Sequence, residues 1–188
     1  YVTGSNAKLL SGELATYLAG RYVEFVIYPF SFSEFIAMQR EEGLYLSEGK
    51  AFQDYLLAGG MPFLSHLPKE EDAIFQYLRD VYHSVILKDV IGRNAIRDVD
   101  LLERIIVYLM ANVGHPFSVN SLTKYFKNEK RNASYETVLN YVKACENAFL
   151  LYRVKREDLV GKKILSVNEK LYVVDHGIRQ AVYGRNQQ

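Results

Sequence analysis

Residues 134–155 have the sequence SYETVLNYVKACENAFLLYRVK. Ser134 is a residue type that favours a helix N-cap, and the apolar side chains after it repeat with the period of a helix. The residues on this apolar face are Tyr135, Val138, Leu139, Val142, Cys145 and Phe149. From Leu150 to Lys155 the pattern changes to the aromatic and β-branched content of a strand. The stretch therefore predicts a helix that is followed directly by a β-strand.

Two helices are predicted before this stretch and a second strand after it. Asp100–Glu103 resembles a capping box that opens one helix, and Ser118 opens the next. Leu171–Val174 has the composition of a strand and follows a basic turn at Gly161–Lys163. Three helices and then a β-hairpin is the order of a winged helix-turn-helix. We therefore expect an α+β, mostly helical fold.

The first half of the chain predicts further helices and two strands. A short helix is expected at Ala51–Leu57 and a long one at Glu70–Ile91, while Arg21–Tyr28 has the composition of a strand. Tyr1–Thr3 has the character of the end of a buried parallel strand, which needs neighbours for its backbone groups. We therefore expect residues 1–6 to pair with Arg21–Tyr28, to pair with another chain, or not to be ordered as an isolated strand.

The composition is typical of a globular protein, with 49% hydrophobic and 24% charged residues. The net charge of +1 gives no overall attraction to nucleic acid or to a membrane surface. A single cysteine, Cys145, excludes an internal disulfide, which predicts a cytoplasmic location. No apolar run reaches the roughly 18 residues of a spanning helix, so no membrane partner is expected.

The charge is nevertheless polarised along the chain. Between residues 124 and 163 ten Lys or Arg outnumber five acids, which gives +5 and leaves −4 for all other residues. A basic patch attracts phosphate backbones, and Asn and Lys can bind base edges. The candidates for nucleic-acid binding are Lys124, Arg131, Asn140, Lys143, Lys155, Lys162 and Lys163. Glu136 and Glu146 would repel phosphates, so DNA contact and docking of another protein domain both stay open.

No catalytic site is predicted in this chain. A phosphate loop needs Gly-x4-Gly-Lys-[Ser/Thr], and neither Gly49-Lys50 nor Gly161-Lys162 has the required first glycine or the final hydroxyl residue. The four histidines show no metal-ligand spacing, so no metal site is predicted. Cys145 lies on a buried helix face and is expected to be a packed thiol. We therefore expect the chain to be inactive as an enzyme by itself.

Several motifs, in order along the chain, resemble one known family. They are TGSNAKLLS (3–11) with GRY (20–22), YPFSFSEF (28–35), YLLAGGMP (55–62), ILKDV (86–90) with Arg93, and KLYVVDHGIR (170–179). Together they resemble, over about residues 1–183, a large prokaryotic family of AAA-superfamily ATPases with a C-terminal domain of unknown function.

This resemblance implies three segments. Residues 1–50 would be the C-terminal remnant of the ATPase core, residues 51–97 a helical lid or linker, and residues 98–183 the winged helix-turn-helix domain. The phosphate loop, the acidic metal-binding strand and a downstream nuclease-like domain would belong to a longer protein. The expected partners are these missing domains, DNA and a second copy of the chain. ATP and Mg²⁺ would bind to the longer protein, and no cofactor is expected in this chain.

The resemblance also assigns nucleotide-sensing roles. Ser5 or Asn6 would form the polar tip beside the γ-phosphate, where an uncharged group orients water. The family usually has Ser where Asn6 stands. Arg21 would meet phosphate charge, in its own subunit or in a neighbour. The alternatives are that Ser5 and Asn6 cap a helix beginning near Ala7, and that Arg21 is an exposed strand residue.

Overall fold

The structure is a computed structural model that describes residues 21, 23, 25–131, 133–157 and 164–184, with the backbone alone at 156, 157 and 164–168. Over these residues it contains seven α-helices, one 3₁₀-helix, one π-helical segment and one three-stranded antiparallel sheet. The predicted α+β, mostly helical class is confirmed. None of the helices in this part of the chain is long and apolar enough to cross a bilayer.

The chain divides into two compact units. The helical unit contains residues 23, 25–84 and 174–184, and the sheet unit contains residues 85–131, 133–157 and 164–173. The helical unit is therefore interrupted in sequence by the sheet unit. The domain boundaries predicted after residues 50 and 97 stay predictions.

The helical unit consists of α-helices and one short 3₁₀-helix. Its elements are α1 (Phe32–Glu41), α2 (Glu48–Ala58), the 3₁₀-helix (Pro62–His66), α3 (Glu71–Ser84) and α7 (His176–Val182). α1 begins with a full capping box, in which Ser31 Oγ accepts from Glu34 N and Ser31 N donates to Glu34 Oε2 at 2.8 Å. α7 packs against α2 and α3.

The strand predicted at Arg21–Tyr28 is wrong for its described residues, which form no strand. Phe25 and Ile27 are 83% and 90% exposed. A strand is stable only when its backbone groups are paired and one face is covered, and residues 25–28 have neither face covered, since all four are exposed. The expectation for residues 1–6 lies outside the described residues.

The sheet unit combines three helices with the sheet. Its elements after residue 98 are α4 (Val99–Ala111), β1 (Pro116–Phe117), α5 (Val119–Asn128), α6 (Tyr135–Asn147), β2 (Leu151–Glu157) and β3 (Ile164–Val173). β3 is the central strand, with β1 and β2 antiparallel on either side. Leu102, Ile106 and Phe126 are among the fully buried side chains of its core.

The apolar face predicted on α6 forms part of this core, except at Tyr135, which is 45% exposed. Val138, Val142 and Cys145 are buried completely. Burial, with a smaller effect of the neighbouring Glu146, raises the pKa of the Cys145 thiol to about 12. The prediction that Cys145 is a packed thiol is confirmed.

The predicted caps are correct for two helices of the sheet unit and wrong for one. The side chains of Ser118 and Ser134 cap α5 and α6. α4, in contrast, is capped by Asp98, whose Oδ1 accepts from Leu101 N at 2.9 Å. Asp100 is not the cap because its carboxylate is exposed and pairs with arginines.

The long helix predicted at Glu70–Ile91 changes its winding. α3 ends at Ser84, and a π-helical segment spans Val85–Ile91. This wider turn places Ile86, Asp89 and Val90 in buried positions. The amide of Asn94 then donates to the carbonyls of Val90 and Asp89, at 2.8 and 3.3 Å. These bonds satisfy carbonyl groups at the end of the segment.

Candidate functional site

Four of the predicted nucleic-acid-binding side chains lie on the surface of the sheet unit. Lys124 on α5, Asn140 and Lys143 on α6, and Lys155 on β2 are all exposed. Asn140 and Lys143 are three residues apart and therefore share one face of α6. Glu136, one turn earlier, adds a carboxylate to that face. None of the three lysines forms an ion pair with another described residue.

Arg131 lies in the same unit but is paired. Its guanidinium donates to Asp100, which also accepts from Arg104 Nε at 3.2 Å. The bonds from Arg131 and then Arg104 lower the pKa of the Asp100 carboxyl. Because Asp100 is shared by two arginines, this cluster keeps a net positive charge of one.

Arg153 is the centre of a second, less exposed ion cluster. Its guanidinium donates to both carboxylate oxygens of Glu146 at 2.7 and 3.1 Å, and to Glu169 Oε2 at 2.5 Å. It also lies 5.9 Å from the ring centre of Phe117. The cluster thus joins β2 to α6, β3 and β1, and its net charge is −1. Three of the five guanidinium N–H groups of Arg153 are therefore held by carboxylates.

The side of the sheet opposite the Arg153 side chain carries aromatic rings. Tyr152 and Tyr172 are directly cross-strand, with ring centres 5.6 Å apart and an interplanar angle of 19°. Val154 and Lys170 form the next pair on this face. We call these four residues the outer sheet face. Tyr152 and Val154 are 43% and 44% exposed.

The helical unit contains a buried polar junction around Gly60. Gly60 N donates to Asp175 Oδ2 at 2.8 Å, and Gly60 O accepts from Phe30 N at 2.8 Å. The Tyr55 hydroxyl donates to Phe30 O at 2.9 Å. Asp175 also caps α7 by accepting from Ile178 N at 2.9 Å. We call these residues the Gly60 junction.

Close packing makes glycine necessary at this junction. A Cβ on Gly60 would collide with the Phe30 carbonyl, and one on Gly177 would collide with the Ala58 carbonyl. Gly59 has a φ of 82°, in the region that favours glycine. The motifs YLLAGGMP and KLYVVDHGIR therefore meet here, because their glycines allow α7 to approach α2.

Of the three residues assigned to nucleotide sensing, the structure describes Arg21 alone. Ser5 and Asn6 lie outside the described residues, as do Lys162 and Lys163, and Arg21 is exposed. Within the described residues no group of His, Cys, Asp or Glu could hold a metal ion. The roles of Ser5, Asn6 and Arg21 stay predictions.

The architecture is therefore a helical unit together with a unit of three helices and an antiparallel sheet. The chain belongs to the family described as "Domain of unknown function (DUF8612)", whose sequence profile matches residues 49–188. A second profile, described as "AAA domain", matches residues 1–36. The family resemblance is therefore supported at its coarser level, an AAA-related segment that precedes a domain of unknown function.

Two curated relatives are similar to the chain over nearly its whole length. An uncharacterized protein of Haemophilus influenzae is 36% identical over 98% of this chain and 46% of its own length. The uncharacterized protein MJ1544 of Methanocaldococcus jannaschii is 28% identical over 93% of this chain and 41% of its own length. The chain thus spans less than half the length of these relatives. No solved structure matches it.

Sequence reasoning identified the motifs of the Gly60 junction but not what they do. Asp175 follows a strand and precedes His176-Gly177, so an N-cap was a recognisable signal. The partner of Asp175, Gly60, is 115 residues away, and no local pattern predicts that pairing. The Arg153 cluster was missed for the same reason.

Proposed function

We propose that this chain is part of an AAA-type ATPase. We also propose that residues 98–173, the part of the predicted segment 98–183 that lies in the sheet unit, form a winged helix-turn-helix that binds duplex DNA through α6. The profile match at residues 1–36 supports the ATPase relationship. The order of three helices and a hairpin, with a short strand before α5 and β3 at the centre of the sheet, supports the winged helix.

The observation that carries the DNA proposal is the exposed face of α6. Asn140 and Lys143 extend outward from a helix whose opposite face is fully buried. Asn can bind adenine and Lys can bind guanine or phosphate in a major groove. Lys124 and Lys155 add positive charge on neighbouring elements. ATP and Mg²⁺ would bind to the longer cytoplasmic protein, with Ser5, Asn6 and Arg21 near the nucleotide.

Lys143→Ala should weaken duplex binding and reduce its salt dependence. Each phosphate contact that is removed lowers the slope of log K against log[salt] by about 1. Fluorescence anisotropy of a labelled duplex between about 50 and 200 mM salt measures this slope. Lys69→Ala is the matched control, because Lys69 is exposed in the helical unit.

Equal binding by the Lys143 and Lys69 variants would contradict a role for α6. Binding that does not respond to salt would contradict duplex recognition as a whole, because phosphate contacts release counterions.

Protein docking is the second candidate, and exposed apolar side chains favour it. Phe52 and Leu56 are 46% and 40% exposed and lie four residues apart on α2. Two of the basic residues of the sheet unit, Arg131 and Arg153, are already paired. An exposed apolar helix face is typical of a surface that another domain or subunit covers.

If α2 docks a second copy, the 188-residue chain should self-associate. Size exclusion with light scattering would then give a mass above the 21.6 kDa of one chain. Phe52→Ser combined with Leu56→Ser should return it to one chain, and Gln53→Ser on the same helix is the control. A single-chain mass for the unmodified protein would argue against self-docking.

A further inference from the structure

On the outer sheet face, the ring of Tyr152 is exposed to solvent and stacks on the ring of Tyr172, which other residues hold in place. Tyr172 has Tyr152 stacked on it. The backbone of Gly114 also lies against Tyr172, since a Cβ there would be 3.5 Å from the ring carbon Cε1. Gly114 N donates to Leu171 O at 2.9 Å, which fixes this approach. Within the described residues, Tyr152 stacks on no ring other than Tyr172, and its 43% exposure leaves it open to solvent.

The charge on this face is positive. Lys170 is exposed beside Val154 on this face. It forms no ion pair with a described residue. The acidic neighbour Glu169 is buried and bonded to Arg153 in the core-side cluster. The four residues of the outer sheet face therefore include a cation and no acid.

We propose that the outer sheet face binds single-stranded DNA, with one base stacked on Tyr152 and its phosphates near Lys170. An exposed aromatic ring on a sheet next to a lysine provides both contacts that such strands use, stacking and phosphate neutralisation. A duplex cannot use this ring, because its bases are already stacked on one another. The source of the strand rests on the proposed function, since an unpaired end of a DNA duplex bound by α6 would supply it.

An acidic protein segment is the competing occupant, because β2 is an edge strand of the sheet. The supported ring favours the nucleic acid. A protein segment added to the sheet would form hydrogen bonds with the backbone of β2 and contact Val154. Its binding would not require the stacked rings of Tyr152 and Tyr172. The two occupants differ in their dependence on Tyr152, and this difference is the basis of the test.

The test measures binding of a labelled 12-residue oligothymidylate to the 188-residue chain by fluorescence anisotropy. Tyr152→Ala should weaken binding by about 5- to 100-fold, which corresponds to the loss of one stacked base. Tyr152→Phe keeps the ring and should bind like the unmodified chain. Lys170→Ala should lower the slope of log K against log[salt] by about 0.7. Circular dichroism confirms that each variant is folded.

Equal oligothymidylate binding by Tyr152→Ala and the unmodified chain would overturn the proposal. So would an oligoglutamate peptide that binds while oligothymidylate does not, because the face would then belong to a protein partner. Lys143→Ala separates this site from the α6 interface. If the chain binds no duplex but still binds oligothymidylate through Tyr152, the α6 interface fails and the outer sheet face remains.

Discussion

Asp175 is the residue on which the Gly60 junction depends. Its side chain is nearly inaccessible, at 4% exposure, and it accepts backbone hydrogen bonds from Gly60 and Ile178. Burial raises the pKa of this carboxyl, and the backbone hydrogen bonds from Gly60 and Ile178 oppose that effect. The folded chain therefore holds a proton on Asp175 more tightly than the unfolded chain does.

This raised pKa predicts a pH-dependent contribution to stability. The contribution is complete below the ordinary aspartate pKa of about 3.9 and is lost as pH rises through the raised pKa. Asp175→Asn does not titrate, so this part of the pH dependence should disappear in thermal unfolding followed by circular dichroism. The variant should also be less stable by about 1–3 kcal/mol, because its amide N–H₂ faces a backbone donor.

Asp80→Asn is the control for this comparison, because Asp80 is exposed on α3. It should keep the pH dependence of the unmodified chain. The same pH dependence in Asp175→Asn and the unmodified chain would show that Asp175 does not titrate over this range.

At the scale of the elements, Arg153 fixes the end of α6 to the sheet. Its side chain is 19% exposed, and its partners Glu146 and Glu169 are 21% and 12% exposed. Two carboxylates that are mostly removed from water need a counter-charge, since their mutual repulsion is poorly screened there. The cluster therefore links the position of the proposed recognition helix to the hairpin.

Arg153→Met should destabilise the sheet unit by about 3 kcal/mol, because it leaves two mostly buried carboxylates without a partner. Urea unfolding followed by circular dichroism measures this loss. Adding Glu146→Gln and Glu169→Gln should recover part of the stability. Lys155→Met is the control, since Lys155 is exposed on the same strand. If Arg153→Met and Lys155→Met lower the free energy of unfolding equally, the ion cluster makes no specific contribution to stability.

The elements differ in how far the sequence predicts them. α5 and α6 were predictable, because Ser118 and Ser134 signal their starts and apolar residues follow at helical spacing. The segment at Arg21–Tyr28 was not, because strand composition has a structural meaning only when a partner strand is present. The π-helical segment at Val85–Ile91 packs against α6 in the fold. Periodicity alone does not reveal it.

For the whole molecule, the sequence predicted where positive charge accumulates, but it did not predict which of the charged side chains form ion pairs. The basic bias around residues 124–163 located the sheet unit correctly as the positively charged part of the chain. The sequence did not show that Arg131 and Arg153 are held by carboxylates from other elements. The division into two units was also hidden, because the helical unit is built from two separated parts of the chain.

That separation has a consequence for synthesis. α7 belongs to the helical unit, but it is translated only after the entire sheet unit. The hydrogen bond from Gly60 N therefore cannot form until Asp175, 115 residues later, has been synthesised. At roughly 5–20 residues per second this interval is on the order of 10 seconds. β3, the central strand of the sheet unit, ends at Val173, directly before Asp175 and α7. Both units therefore become complete at almost the same point of synthesis.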